Sequence, residues 1–198
     1  MTDLFQEPED ATPLEPGERD GLLQSWITHC KDLNEAEQEN IVAGAAWARG
    51  RRRLPIDRML TDDFVRTLHK RMFGEVWEWA GTFRSTERNI GIQAYRIAVE
   101  LTNLLGDVRY WVEHATFPPD EIAIRFHHRL VAIHPFPNGN GRHARLAADL
   151  LVEKLGRQPF SWGGGSLADV GALRARYVTA LRSADNHDIG PLLAFARG

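Results

Sequence analysis

Along most of this 198-residue chain, apolar residues recur every three or four positions, and the rhythm breaks in one place. That spacing marks one face of a helix. It runs through residues 34–49, where Ile41, Val42, Trp47 and several alanines are available for burial. It resumes after Thr61-Asp62-Asp63, a helix start with acids in its first turn, with Phe64, Val65, Leu68 and Met72 following. Ile97, Leu101, Leu104, Val108 and Trp111 predict a helix over about 95–114, and Ile122, Phe126, Leu130 and Ile133 predict the next. Leu146, Leu150, Leu151 and Leu155 carry another helix that stops at Gly156. Ser166 and Asp169 resemble a helix cap ahead of Val170, Leu173, Tyr177 and Leu181, and a last short helix covers 189–196. Between Trp77 and Ile92 the rhythm changes to aromatic and β-branched residues alternating with polar ones around a polar turn, which reads as a short β-hairpin. The fold class expected is therefore all-α, a helical bundle carrying one hairpin. Residues 1–20, acidic and proline-bearing, read as an extended arm. Residues 21–58 read as an N-terminal helical region and 59–198 as the core domain.

Composition narrows the possibilities only a little. A length of 198 residues with 43% hydrophobic and 26% charged content is that of one ordinary soluble core. A formal charge of −3 speaks against wholesale nucleic-acid binding, and Arg49-Gly-Arg51-Arg52-Arg53 is too short a basic run to reverse that. One cysteine, Cys30, excludes an internal disulfide framework and fits a reducing compartment. No signal peptide and no window of membrane-spanning length are visible, so a cytoplasmic protein is expected. His127, His128, His134 and His143 crowd into seventeen positions, but without a His-Glu-x-x-His pattern they do not read as a zinc site.

The chemistry concentrates in His134-Pro-Phe136-Pro-Asn138-Gly139-Asn140-Gly141-Arg142-His-Ala-Arg145, a tight loop between two buried helices. The first turn of a helix offers unpaired N–H groups and the positive end of the macrodipole. Gly139, Asn140 and Gly141 let the backbone curl closely around an anion there. Arg142 and Arg145, three apart, share a face and suit forked contacts with phosphate oxygens. His134 is a base whose unperturbed pKa lies near working pH. Phe136 reads as a core anchor of the loop.

This run resembles the signature of the Fic/Doc family, His-x-Phe-x-acid-Gly-Asn-Gly-Arg-x-x-Arg, with Asn138 standing where the family has an acid. The likeness extends over roughly residues 60–197 and is similar to the branch called mobile mystery protein B. It implies a Fic-type helical bundle with the 77–92 hairpin as a flap over the active site. It also implies transfer of AMP from ATP to a Ser, Thr or Tyr hydroxyl of a target protein. In that scheme His134 is the general base, and Arg142 and Arg145 are catalytic and grip the nucleotide phosphates together with Gly139, Asn140 and Gly141. The family's acid binds Mg²⁺ (or Mn²⁺); a neutral amide at Asn138 is a weaker ligand for a hard cation. The flap, through Thr82, Phe83, Arg84, Asn89, Ile90 and Gly91, would dock the target by strand addition. Many relatives carry an inhibitory helix with the pattern Ser/Thr-x-x-x-Glu-Gly/Asn; Glu35-Ala-Glu-Gln-Glu39-Asn40 matches its last two positions, so Glu39 is the inhibitory candidate, expected opposite Arg145. AMP removal, transfer from another nucleotide, a non-catalytic Fic scaffold and a toxin–antitoxin component acting with a separate partner protein stand as alternatives.

Overall fold

A helical hairpin with the motif at its bend forms the centre of the molecule. The computed structural model describes residues 16–51, 53–164 and 170–198. In chain order its helices are α1 (Pro16–Arg19), α2 (Cys30–Gly50), α3 (Ile56–Met59), α4 (Asp62–Phe73), a 3₁₀ turn (Ala94–Arg96), α5 (Ile97–Glu113), α6 (Pro119–Ile133), α7 (Asn140–Lys154), α8 (Val170–Asp185) and α9 (Gly190–Arg197). Among the described residues, no helix is long and apolar enough to cross a membrane. The arm expected over 1–20 lies outside the described residues up to position 15, as do Arg52 and the expected cap residues Ser166 and Asp169.

Helices α6 and α7 pack side by side, and α7 is the more deeply buried. Ala144, Ala147, Ala148, Leu150, Leu151 and Val152 are all in the core, and the small residues let neighbouring helices approach. Helix α5 packs on α6, α4 lies against α7, and α8 and α9 close the far side. Local chemistry sets the boundaries. Thr61 Oγ1 accepts the Phe64 N–H at 3.2 Å, the expected cap of α4. Pro119 opens α6 with Asp120 and Glu121 in the first turn, where the macrodipole favours them. Asp149, on α7, accepts the Phe160 N–H at 3.0 Å and the Trp162 indole N–H at 3.1 Å, tying the next connection down.

Helix α2 buries a face made of Leu33, Glu37, Asn40, Gly44 and Ala48 against α4. Gly44 sets the approach: a Cβ there would meet the Arg71 carbonyl oxygen at 2.7 Å. Asn40 secures it, donating to that same carbonyl at 3.1 Å and accepting the Glu75 N–H at 2.9 Å.

Two expectations fail here. Among the described residues there is no β-hairpin over 77–92, only irregular chain with turns. A single isolated antiparallel bridge instead pairs Trp77 with Leu22, backed by Leu23 N–H to Val76 O at 2.9 Å and Glu78 N–H to Gly21 O at 2.9 Å. Residues 16–20 are accordingly not an extended arm. Residues 16–19 form α1, and Glu18 meets this segment: its carbonyl accepts the Trp79 indole N–H at 3.0 Å and its carboxylate pairs with Arg88. The physical reason lies in the partners of the backbone. The Arg84 guanidinium reaches the carbonyls of Thr86 at 2.8 Å and Ile92 at 2.5 Å, within its own loop, so a side chain does what a cross-strand ladder was expected to do.

Candidate active site

The site begins where α6 ends. The residue before a proline is disfavoured in the right-handed helical region, so Pro135 stops the helix at His134. His134 takes the left-handed conformation there, φ 54° and ψ 60°, a conformation few residues without a glycine's freedom adopt. Its N–H bonds the Leu130 carbonyl at 3.2 Å and its own carbonyl accepts the Arg84 Nε–H at 2.7 Å. The side chain is only 6% exposed. Burial, and then the nearby Arg84 guanidinium, hold the imidazole down to about 4, so it is neutral at ordinary pH.

The bend is locked from within. Phe136 is fully buried, as expected of an anchor. The Asn140 side chain clasps it at both ends, accepting the Phe136 N–H at 2.9 Å and donating to the Phe136 carbonyl at 2.8 Å. That use of the amide leaves Asn140 its backbone N–H, at the first turn of α7, for any anion. Gly139 precedes it at φ 77°, and a Cβ here would lie 2.6 Å from the Phe73 ring. The N-cap of α7 is Gly139, which has no side chain with which to cap the first turn. Gly141 has open space before it, with the Tyr177 hydroxyl 3.9 Å from where its Cβ would lie.

The two arginines stand differently. Arg142 pairs with Glu37 at 2.6 Å, and its guanidinium lies 5.0 Å from the centre of the Phe73 ring. Arg145 lies 5.3 Å above the Tyr177 ring, whose hydroxyl is 3.0 Å from His127 Nε2. Burial pushes the Tyr177 hydroxyl up to about 12, so it stays protonated.

The inhibitory candidate Glu39 does not face Arg145. Glu39 is exposed, on the face of α2 shared with Lys31 and Glu35, and Arg145 faces Tyr177 instead. Glu37 is the carboxylate turned inward: it is 7% exposed, accepts the Trp77 indole N–H at 2.7 Å and pairs with Arg142. Helical register explains the difference, because 33, 37, 40, 44 and 48 form one face and 35 and 39 fall off it. A charged residue in step with an apolar stripe was the available signal.

The segment over the site contains the expected flap residues in an irregular form. Thr82, Asn89, Ile90 and Gly91 are exposed and Phe83 is half-buried. Arg84 is not a docking residue on the surface. It is 3% exposed and clamps the segment to the C-terminal end of α6, whose carbonyls favour a cation. Gly91, at φ 97°, passes so near His134 that a Cβ would lie 2.7 Å from the histidine's Cβ. His69, which no sequence pattern singled out, accepts the Gly81 N–H at 3.0 Å and faces the Asn138 carbonyl at 3.0 Å.

A divalent cation finds little protein chemistry here. Among the described residues, no cluster of three or more His, Cys, Asp or Glu is placed to hold a metal ion. Asn138 offers one neutral oxygen, and that oxygen accepts the Gly139 N–H. These residues do not fit a metal held by the protein alone.

Residues 59–152 match the Fic/DOC family. Over 143 residues the chain is 29% identical to "Protein adenylyltransferase fic-1" of Caenorhabditis elegans, covering 70% of this chain and 27% of that one. The chain thus spans about a quarter of the length of the curated relative it matches. In fold it resembles BepC of Bartonella tribocorum, solved with bound AMPPNP, at a TM-score of 0.67 and 18% identity over 92% of this chain and 97% of that one. It also resembles the N-terminal Fic domain of a Bartonella quintana protein solved with bound ADP, at a TM-score of 0.67 and 18% identity, covering 91% and 94%.

Proposed function

The chain belongs to the Fic/DOC family, and from that premise we propose that it is a protein adenylyltransferase. It transfers the AMP of ATP to a Ser, Thr or Tyr hydroxyl of a target protein. One bond forms, from the hydroxyl oxygen to the α-phosphorus; one breaks, from that phosphorus to the oxygen of the β-phosphate; pyrophosphate leaves and His134 takes the hydroxyl's proton. The observation that carries this reading is the bend itself: a buried neutral imidazole at the end of α6, five residues before a glycine-capped helix N-terminus bearing Gly139, Gly141, Arg142 and Arg145. The α7 N–H groups and the arginines bind the phosphates and offset charge as the leaving group departs. Mg²⁺ or Mn²⁺ enters as part of the nucleotide substrate, since Asn138 alone does not make a cation site. The target lies along the exposed 89–91 backbone, which runs beside His134.

The same reading includes restraint by α2, with Glu37 in the part expected of Glu39. A carboxylate 2.6 Å from Arg142 neutralises a guanidinium the phosphates need and repels the phosphates themselves. This restraint is carried in the same chain, so a separate antitoxin protein is not required; the target is the partner the reading requires.

The test is protein-bound label from α-labelled ATP with Mg²⁺ or Mn²⁺. His134→Ala is expected to lower the rate about 10²–10⁴-fold, the range for loss of a general base. Equal labelling by wild type and His134→Ala would sink the proposal; nucleotide binding without label in any form would leave a binding scaffold.

A further inference from the structure

We propose that His69 is a positioning residue: a neutral imidazole that clips the root of the 81–92 segment to the phosphate loop, so that docking edge and nucleotide cradle keep one register. Three observations carry it. His69 lies on α4, outside the motif and outside the flap, yet it is bonded to both. A backbone N–H can only donate, so the Gly81 N–H at 3.0 Å fixes Nδ1 as the acceptor. The ring's proton is then on Nε2, and it donates to the Asn138 carbonyl at 3.0 Å, one residue before the left-handed Gly139. The ring is fully buried and stacked 3.8 Å from Phe136, with Phe73 4.7 Å away on α4, so it has one place to be.

The geometry is economical because each end of the clip is next to a functional position. Gly81 immediately precedes Thr82, where the exposed segment starts. Asn138 immediately precedes the glycine that opens α7. Arg84 holds the other part of the segment to α6, through the His134 and Ile133 carbonyls. Among the segment's anchors, Arg84 ties it to the base and His69 ties it to the phosphate loop, while Arg88 pairs with Glu18 on α1. In-line transfer demands that an incoming hydroxyl, a base and a phosphate be aligned within about 1 Å, and a misplacement of that size costs about 10²-fold in rate. A rigid clip between the two loops supplies that alignment.

The use of the clip in catalysis rests on the adenylyltransferase reading; the clip itself does not, and its test separates the two. Two variants divide ring filling from hydrogen bonding. His69→Phe keeps an aromatic ring against Phe136 and strands the Gly81 N–H and the Asn138 carbonyl. His69→Gln supplies one acceptor and one donor on a flexible stem. Amide hydrogen exchange in the nucleotide-free chain is expected to speed up about tenfold or more in both 81–92 and 138–141 for His69→Phe, with both segments recovering together in His69→Gln. Loosening of one segment alone, uniform loosening of the whole chain, or no recovery in His69→Gln overturns the proposal and makes His69 a core ring. ADP binding is then measured on the same variants. ADP affinity within about threefold of wild type in His69→Phe, with transfer at saturating ATP down about 10²-fold, marks alignment rather than binding as what was lost. A transfer rate per folded molecule equal to wild type overturns the catalytic half. Failure of the wild type to bind ADP counts against the adenylyltransferase reading and leaves the exchange result standing.

Discussion

The motif bend and the segment that covers it lie against each other but are built in opposite ways. From Ile133 to Arg145 the turn itself is set by neighbours in sequence, while His69, Arg84 and Glu37 hold the formed bend from other elements. Pro135 stops α6, the Asn140 amide clasps Phe136 four residues back, and Gly139 makes a turn that no other residue would make without moving Phe73. From Trp77 to Ile92 the chain is held by remote partners. Leu22 and Glu18 come from the N-terminal region, His69 from α4, and the carbonyls of Ile133 and His134 from α6. Local bonding gives a bend whose shape can be read from twelve letters. Remote bonding gives a conformation that exists only once the bundle has formed.

Two glycines break the comparison most sharply, because each meets something a Cβ cannot share. Gly139→Ala places a methyl 2.6 Å from the fully buried Phe73 ring, at a φ of 77° that alanine resists. The expected result is loss of transfer together with a stability loss of about 2–4 kcal/mol, read as a shift of the denaturant midpoint, from overpacking and backbone strain combined. Gly91→Ala also carries strain, at φ 97°, and its methyl would meet the His134 Cβ at 2.7 Å and the end of the Arg84 side chain at 2.9 Å, but Gly91 itself is exposed and lies outside the core. Its transfer rate is expected to fall about tenfold or more while stability changes by about 1 kcal/mol or less. Equal stability losses in the two variants would show that the covering segment is as much part of the core as the bend.

This difference also sets what could be read in advance. Helix α4 was legible down to its cap because Thr61, the acids after it and the Phe64–Met72 stripe are local signals. The bend between α6 and α7 was legible for the same reason, since Pro135 and Gly139 mark it locally. The hairpin was not, because alternation of apolar and polar residues reports which side chains are buried, not what the backbone bonds to. Arg84 supplies those bonds from a buried guanidinium, and an arginine in a polar turn carries no mark of being buried. The inward place of Glu37 was missed for another reason: the family pattern drew attention to Glu39, whereas the helical register of Leu33, Asn40 and Gly44 marks Glu37 as the carboxylate on the buried face. His69 gave no signal, since both its partners are backbone groups.

Acid sharpens the comparison because the depressed histidines gather around the bend and its helices. Burial holds His134 and His143 at about 4, and holds His69 and His127 well below the ordinary 6.5. Each is neutral when folded and takes up a proton on unfolding below 6.5. Their contribution to stability is therefore full above 6.5 and is lost as the pH falls toward the folded values, at about 1 kcal/mol per pH unit for each group. Asp149 acts the other way. Burial raises it to about 6, so its contribution grows as the pH falls from 6 toward 4. Four histidines outweigh one carboxyl, and chemical denaturation should show stability falling steadily from pH 7 to pH 5. Stability that is flat or rising over that interval would mean the histidines gain charge without leaving the fold.

The smallest effect separates two carboxylates two residues apart on α2. Glu37→Gln keeps an acceptor for the Trp77 indole N–H, which Glu37 holds at 2.7 Å, and removes the charge that faces Arg142 at 2.6 Å. If the pair restrains the site, freeing Arg142 for phosphate should raise labelling from α-labelled ATP by about threefold to tenfold, the scale of 1 kcal/mol or slightly more. Glu39→Gly changes an exposed side chain that faces away from both arginines, and labelling should stay within about twofold of wild type, with only a small helix-propensity cost. The pair is informative because the outcomes exclude each other. Activation by Glu39→Gly with none by Glu37→Gln would mean that α2 turns about its axis between resting and active forms. A loss of labelling in Glu37→Gln would make the Glu37–Arg142 pair part of the working site, holding Arg142 in place rather than holding it back.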